Sequence, residues 1–347
     1  MKRLIMILVL LFLLPMPVQA LEMTPPEPPD SALDLMPDES NSFGEDLWYV
    51  FCAAVEELEP QIAQSAAVCL GIVGILMLAS MVQGMPGSST SVTEMASSLA
   101  IAMLLFGNAH TLIGAATDTV EELSAYGKLL LPVMTAAMAA QGGTTSSGAL
   151  YAGTAFFDTL LGSLISKWLV PMIYGFLALA VANSALGHDM LKKLRDFVKG
   201  MATWCLKTVL YIFTGYMTIT GVISGTTDQA AIKAAKLTIS GAVPVVGGIL
   251  SDASESVLVG ASVVKNAVGV YGAVALFGVV IGPFLRIGVQ YLLMKLTASV
   301  CGVFSGKQAG ELVQDFSAAM GLLLGMTGAM CLIFLISIVC FLKGGVV

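Results

Sequence analysis

Apolar runs of about 18 residues or more recur along this chain, separated by short polar breaks. A helix of that length crosses roughly 30 Å, the thickness of the hydrocarbon core of a bilayer. A transmembrane β-barrel would instead show short segments of alternating hydrophobicity, and the sequence lacks them. The pattern therefore predicts an all-α fold, a polytopic bundle of membrane helices.

The predicted helices differ in how clearly the sequence marks them. We predict membrane helices at residues 66–83, 95–116, 168–186, 201–224, 264–285, 287–304 and 317–342. The run at 129–140 is too short to cross a bilayer and contains Pro132, so we expect a half-helix or an interfacial piece there. A linker rich in Gly, Ser and Thr follows at 141–148.

Composition and charge agree with a membrane protein. Apolar residues make up 57% of the 347 residues and charged residues only 11%, compared with about 25% in soluble domains. The net charge of −7 belongs to residues 21–60, which carry acidic side chains and no basic ones. The chain has no basic stripe, so we expect no binding to nucleic acid.

The N-terminal residues have the pattern of a secretory signal peptide. Lys2 and Arg3 precede an apolar stretch that ends in Val18-Gln19-Ala20, so we predict a signal peptide at residues 1–20. An uncleaved membrane anchor is the alternative, and in both cases the next segment is exported. Residues 21–41 are acidic and rich in proline, which predicts a disordered linker that cannot bury enough surface to fold.

The rest of the exported segment has a different periodicity. Apolar residues recur at helical spacing over residues 42–60, with acidic residues on the opposite face. We predict an amphipathic helix that packs against the membrane domain of the same chain, residues 61–347. Docking of a partner protein is the alternative.

The densest basic cluster indicates the orientation of the chain. Residues 188–200 contain Lys192, Lys193, Arg195 and Lys199, and short loops rich in Lys and Arg stay in the cytoplasm. These four residues are our candidate cytoplasmic contact. Arg286, Lys295 and Lys307 favour a second cytoplasmic stretch but leave the side of the C-terminus open.

A break in the apolar pattern at residues 231–260 is the candidate functional segment. Proline and glycine interrupt it, and carboxylates follow, so an ordinary lipid-facing helix is excluded. We predict a broken or re-entrant element that lines a route or contacts a partner. An exported loop with its carboxylates in water is the alternative. The candidate residues are Pro244, Gly247, Gly248, Ser251, Asp252 and Glu255.

Other charges and small residues give weaker hints. Charged residues inside a membrane are costly and often functional, although those near a helix end reach water. They are Asp158, Lys167, Lys207, Lys265, Arg286 and Lys295. Glycines four residues apart let helices approach closely, within one bundle or between subunits. Such pairs include Gly278/Gly282 and Gly321/Gly325.

Motifs of several enzyme classes are missing. The chain has two histidines and no His-Glu-x-x-His motif, which excludes a zinc protease of that class. The segment 302–308 is one residue too short for a phosphate-binding loop and has Gln308 in place of the magnesium-binding hydroxyl. We therefore expect no enzymatic activity, no cofactor and no metal.

Three short motifs carry a resemblance to a known family. Together with the signal peptide and the acidic exported segment, Lys233-Ala-Ala-Lys236, Pro244-Val-Val-Gly-Gly248 and Ser251-Asp252-Ala253 resemble the stage III sporulation protein AE family of endospore-forming bacteria. The resemblance covers most of the chain from about residue 40 and is strongest over 228–290.

The resemblance implies a function and partners. Proteins of that family lie in the mother-cell membrane that surrounds the forespore. They belong to a channel or secretion-like apparatus with a secretion-type ATPase, other polytopic proteins and ring-forming subunits. The resemblance carries over no catalytic residues. The alternative is a self-contained secondary transporter in which Asp252 and Glu255 coordinate an ion or small solute.

Overall fold

The computed structural model describes residues 25–37, 43–86, 89–141, 143–242, 247–304 and 307–343. For 221–242, 247–262, 264, 302–304 and 307 it describes the backbone alone. The predicted signal peptide, residues 1–20, lies outside the described residues. Every regular element in the described ranges is helical, which confirms the predicted all-α class.

Nine helices are present in the described ranges. They are α1 (Asp30–Leu33), α2 (Phe43–Glu56), α3 (Glu59–Gln83), α4 (Thr90–Ala140), α5 (Thr144–Leu164), α6 (Val170–Leu186), α7 (Asp189–Ala242), α8 (Gly247–Phe304) and α9 (Lys307–Lys343). Five stretches of the described chain are long and apolar enough to cross a membrane: Glu59–Gln83, Thr90–Ala140, Thr144–Leu186, Lys265–Cys301 and Gln308–Lys343. The chain is therefore a multi-pass membrane protein.

The helix α4 is longer than the sequence predicts. It runs without a break for 51 residues and contains Pro132, so the expectation of a separate half-helix at 129–140 is wrong. A proline inside a helix costs about 3 kcal/mol, but Leu130 and Met134 beside it are buried in the bundle core. This burial compensates for the proline, and the helix continues through it.

The same merging occurs elsewhere in the bundle. The predicted helices at 264–285 and 287–304 form one helix, α8, which contains Pro283.

The predicted linker at 141–148 is shorter, because α5 already begins at Thr144. The helices α5 and α6 are joined by a π-helical turn, Ile165–Leu169. Pro171 follows at the start of α6, where its missing N–H favours such a widened turn.

The helix α9 forms the centre of the bundle and contacts α4, α5, α6, α7 and α8. Its Phe334 ring lies against Gly127 of α4, where a Cβ atom would come within 2.0 Å of the ring. Between α5 and α7, the Tyr216 ring lies against Gly153, with a corresponding distance of 2.1 Å. These glycines allow the close helix packing that the interior of the bundle requires.

The N-terminal helices pack against the membrane domain of the same chain. Val50 and Ala54 of α2 are buried together with Val274 and Ile281 of α8. This is the packing that the amphipathic pattern predicts. The short helix α1 contacts the same helix, since Ala32 lies against Gly278. The expectation that the whole linker is disordered is therefore wrong, because Ala32 and Leu35 bury their side chains.

Arg286 lies beside the N-terminal segment. Arg286 lines a cavity of about 300 Å³ together with Asp34 and Glu57 of the N-terminal segment. The prediction that residues 21–60 are exported and the prediction that Arg286 marks a cytoplasmic stretch therefore conflict, and the side of the membrane for each stays a prediction. From Arg286, α8 continues to Phe304, about 27 Å at 1.5 Å per residue, and this distance is close to a bilayer crossing.

Candidate functional site

A tight turn places the start of α7 beside the start of α9. The helix α6 ends at Leu186 and is capped by Gly187, whose φ is +66° and whose N–H donates to the carbonyl oxygen of Asn183 at 2.8 Å. Glycine adopts this left-handed conformation at little cost. One turn earlier, Ser184 Oγ lies 3.1 Å from the carbonyl oxygen of Gln308 and 2.9 Å from Ser98 Oγ. The turn therefore joins three helices at the end of the bundle that carries the basic cluster.

Arg195, a member of the predicted basic cluster, is buried. Its Nη1 donates to Asp315 Oδ2 of α9 at 2.5 Å, and Nη2 and Nε donate to Asp196 Oδ1 at 2.9 and 3.1 Å. Burial lowers the pKa of the guanidinium, but the two carboxylates outweigh burial and raise this pKa overall. Arg195 is therefore always charged, and it holds α7 against α9.

The other three basic residues are exposed but differ in their contacts. Lys192 Nζ lies 3.4 Å from Glu311 Oε1 of α9 and adds a second, more exposed link. Lys193 is exposed, and Lys199 lines a groove between α7, α8 and α9. The four residues of the predicted cytoplasmic contact therefore form two groups. Arg195 and Lys192 bind α9, whereas Lys193 and Lys199 do not bind the described side chains of α9 and are exposed on α7.

Exposed apolar side chains lie beside Lys193. Met190, Leu194 and Phe197 are 80%, 46% and 65% exposed, and their spacing of four and three residues puts them on one side of α7. We call Met190, Lys193, Leu194 and Phe197 the α7 face. The sequence prediction noted only its charges, although the helical spacing of its apolar residues was a signal for it.

The partners of the basic cluster were also missed. Glu311 and Asp315 are four residues apart at the start of α9 and therefore lie on one face of the helix. They bind Lys192 and Arg195, respectively. Two carboxylates at this spacing near the start of an apolar helix were the available signal.

Two of the charges that the sequence placed inside the membrane meet in a polar groove. Asp158 is buried, and its Oδ2 accepts a hydrogen bond from Ser124 Oγ at 3.0 Å. Together with Lys128 and Lys167 it lines a groove of about 360 Å³ between α4 and α5. Lys167 lies in the π-helical turn. This groove combines charges of both signs.

The residues of the predicted route are only partly described. Pro244 lies outside the described residues. The helix α7 ends at Ala242 and α8 begins at Gly247, so the backbone at Gly247, Gly248, Ser251, Asp252 and Glu255 is helical, without a description of the side chains. Their assignment to a route or a partner contact stays a prediction.

Comparisons with known proteins identify relatives. The sequence model of the family described as stage III sporulation protein AE matches residues 38–345. A protein named stage III sporulation protein AE from Bacillus subtilis (strain 168) is 22% identical over 247 residues, which cover 71% of this chain. The alignment spans 62% of that relative's length. No solved structure matches the chain.

Proposed function

The chain belongs to the stage III sporulation protein AE family, and we propose that it is a membrane subunit of the channel or secretion-like complex between mother cell and forespore. In this proposal it lies in the mother-cell membrane that surrounds the forespore. Its multi-pass helical structure supports the proposal, as does the sporulation family to which it belongs. The complex supplies its partners: a secretion-type ATPase, other membrane subunits and ring-forming subunits.

The α7 face is the observation that carries the partner assignment. Arg195 and Asp315 fix the first turns of α7 against α9, so the face is held in place before any partner binds. A preformed surface loses less conformational entropy on binding. Its three exposed apolar side chains lie together on one side of α7, and an exposed apolar patch next to charged residues is typical of a protein interaction site.

The proposal assigns the two ends of the bundle to two sides of the membrane. The α7 face is in the cytoplasm, where an ATPase contacts it. The N-terminal helices α1 and α2 are in the intermembrane space with the ring-forming subunits. A reporter fused after residue 196 is then cytoplasmic and one fused after residue 40 is exported. Both reporters on the same side would contradict this orientation.

Co-purification from sporulating cells tests the partner assignment. We compare the tagged full-length chain with Lys193→Ala/Phe197→Ala. The matched control is Lys128→Ala/Leu129→Ala, which removes an exposed lysine and an exposed apolar side chain from α4. Losing an interface anchor costs about 1 kcal/mol or more, so recovery of the cytoplasmic partner should fall at least about fivefold. Equal recovery with both variants would exclude the α7 face.

Substitutions at the break test the predicted route. We expect Pro244→Leu/Gly247→Leu to reduce assembly or transport more than Leu70→Ala, which changes an exposed residue of α3. Equal effects would remove the break from the proposal. Solute uptake by the purified chain alone in vesicles, abolished by Asp252→Asn/Glu255→Gln, would instead establish a self-contained transporter.

A further inference from the structure

A groove between α7, α8 and α9 is lined by three lysines. Its volume is about 420 Å³, within the range of sites for small ligands. Lys199 and Lys207 extend from α7 and Lys295 extends from α8. The sequence marked Lys207 and Lys295 only as separate charges, and the fold brings them together.

The positive charge of this groove is not balanced by close carboxylates. Among the residues with described side chains, none forms a salt bridge with Lys199, Lys207 or Lys295. Lys295 Nζ donates to the Tyr291 hydroxyl at 3.1 Å, a neutral partner. Asp315, whose carboxylate the Lys199 charge also reaches, is already bound to Arg195. Like charges that share a groove repel one another, and an anion relieves that repulsion.

Apolar and small residues also line the groove. Leu206, Leu210 and Leu322 line it, so it offers hydrocarbon contact beside the lysines. Gly321 and Gly325 of α9 also line it and keep space open where larger side chains would project. A soluble anion would leave the leucines without a partner, whereas an amphiphile uses both kinds of wall.

The groove lies close to the ends of α8 and α9. Lys295 is nine residues before Phe304, where α8 ends, and Gln314, another lining residue, is seven residues after Lys307, where α9 begins. Seven to nine residues of helix correspond to about 10–14 Å. The groove is therefore near one end of helices long enough to cross a hydrocarbon core of roughly 30 Å.

We propose that this groove binds an anionic phospholipid, with its phosphate at Lys199, Lys207 and Lys295 and an acyl chain along Leu206, Leu210 and Leu322. Ammonium groups bind phosphate oxygens through strong charge-assisted hydrogen bonds. Basic pockets between membrane helices on the cytoplasmic side favour anionic headgroups in the same way. The site is separate from the α7 face and does not depend on the proposed function.

Equilibrium binding to the purified full-length chain in a non-ionic detergent tests the proposal. The probe is fluorescent short-chain phosphatidylglycerol, with competition by unlabelled phosphatidylglycerol, phosphatidylcholine or inorganic phosphate. A basic residue beside an anionic surface contributes about fivefold, so Lys207→Ala/Lys295→Ala should weaken binding about thirtyfold. Lys207→Arg/Lys295→Arg should restore most of it. The matched control, Lys128→Ala/Lys167→Ala, removes two lysines from the other groove and should bind normally.

A second variant tests the shape of the groove without changing its charge. Gly325→Leu keeps all three lysines but fills the groove, and it should weaken lipid binding without changing the net charge. The proposal is overturned if Lys207→Ala/Lys295→Ala binds phosphatidylglycerol as the wild type does, or if phosphatidylcholine competes equally well. Competition by inorganic phosphate at the same concentration as phosphatidylglycerol would also overturn it, because the site would then bind a soluble anion.

Discussion

Two regions of the bundle are held by different kinds of contact. At the basic end, the starts of α7 and α9 are joined by directed polar contacts, with Arg195 and Asp315 at the centre. At the collar, which we define as α1 and α2 on α8, close apolar contacts join the helices, with Ala32 against Gly278. Removing one polar partner leaves the other buried and unsatisfied. A close contact between small residues is instead disrupted by added volume.

The largest expected effect is at the basic end. Arg195→Ala leaves the buried Asp315 carboxylate without its main partner, which should reduce the free energy of unfolding by about 3–5 kcal/mol. The measurement is the unfolding midpoint of the purified chain in detergent. Lys193→Ala is the matched control and should cost about 0.5 kcal/mol or less, because it removes an exposed charge from the same helix.

A double substitution sharpens this test. Arg195→Met/Asp315→Leu removes both charges and should be less destabilising than Arg195→Ala, since no unpaired charge stays buried. If Arg195→Ala and Lys193→Ala cost the same, the buried pair does not hold the basic end together, and the contrast with the collar disappears.

At the collar, adding volume should have a smaller and local effect. A Cβ atom on Gly278 would lie 3.1 Å from Ala32 Cβ, whereas one on Gly282, a turn later, meets nothing within 4 Å. Gly278→Leu should therefore cost about 1–3 kcal/mol of docking free energy, and Gly282→Leu should cost less. A protease that cleaves after Glu should cut at Glu27, three residues before α1, at least about fivefold faster in Gly278→Leu. Equal rates for both variants would show that α1 is not held by this contact.

The long apolar runs made the fold class predictable from the sequence. The positions of the helix ends were less predictable. The runs at 66–83 and 317–342 lie within α3 and α9, because each is long enough to require a membrane or a buried core. The region around Pro132 misled the prediction, because proline and the polar residues before it look like a helix end. Burial of Leu130 and Met134 against other helices overrides that local signal. The residues next to Pro132 in the sequence do not reveal this burial.

The candidate site shows the same division. Counting charges was enough to locate Lys192, Lys193, Arg195 and Lys199, but not to separate the buried arginine from the exposed lysines. That difference depends on Asp315, which is 120 residues from Arg195 in the chain. The groove at Lys207 and Lys295 likewise forms only when α7 and α8 come together. Contacts of this kind depend on how whole helices pack together, and the residue spacing within a single helix does not predict them.

A neutral hydrogen bond at the basic end should contribute less to the free energy of unfolding than the buried ion pair does. Ser184→Ala removes the hydroxyl that contacts Ser98 and the carbonyl of Gln308, and it should cost about 0.5–1.5 kcal/mol. Thr111→Val is the control, because the exposed Thr111 hydroxyl bonds only within its own helix. The same unfolding measurement applies. A cost for Ser184→Ala no greater than that of Thr111→Val would limit the polar network to the ion pairs.

The exposed ion pair at the basic end, Lys192 and Glu311, should contribute least to the free energy of unfolding. The Lys192 and Glu311 side chains are 47% and 30% exposed, and their charged atoms are 3.4 Å apart. Water and salt screen such a pair, so a double-mutant cycle of Lys192→Ala and Glu311→Ala should give a coupling of about 0.2–1 kcal/mol at low salt. This coupling should fall toward zero at about 1 M salt, where the Debye length is about 3 Å. A larger coupling that persists in salt would mean that the pair shares the buried environment of Arg195 and Asp315. The polar anchoring would then extend across the whole start of α7, and the α7 face would be held by two buried contacts instead of one.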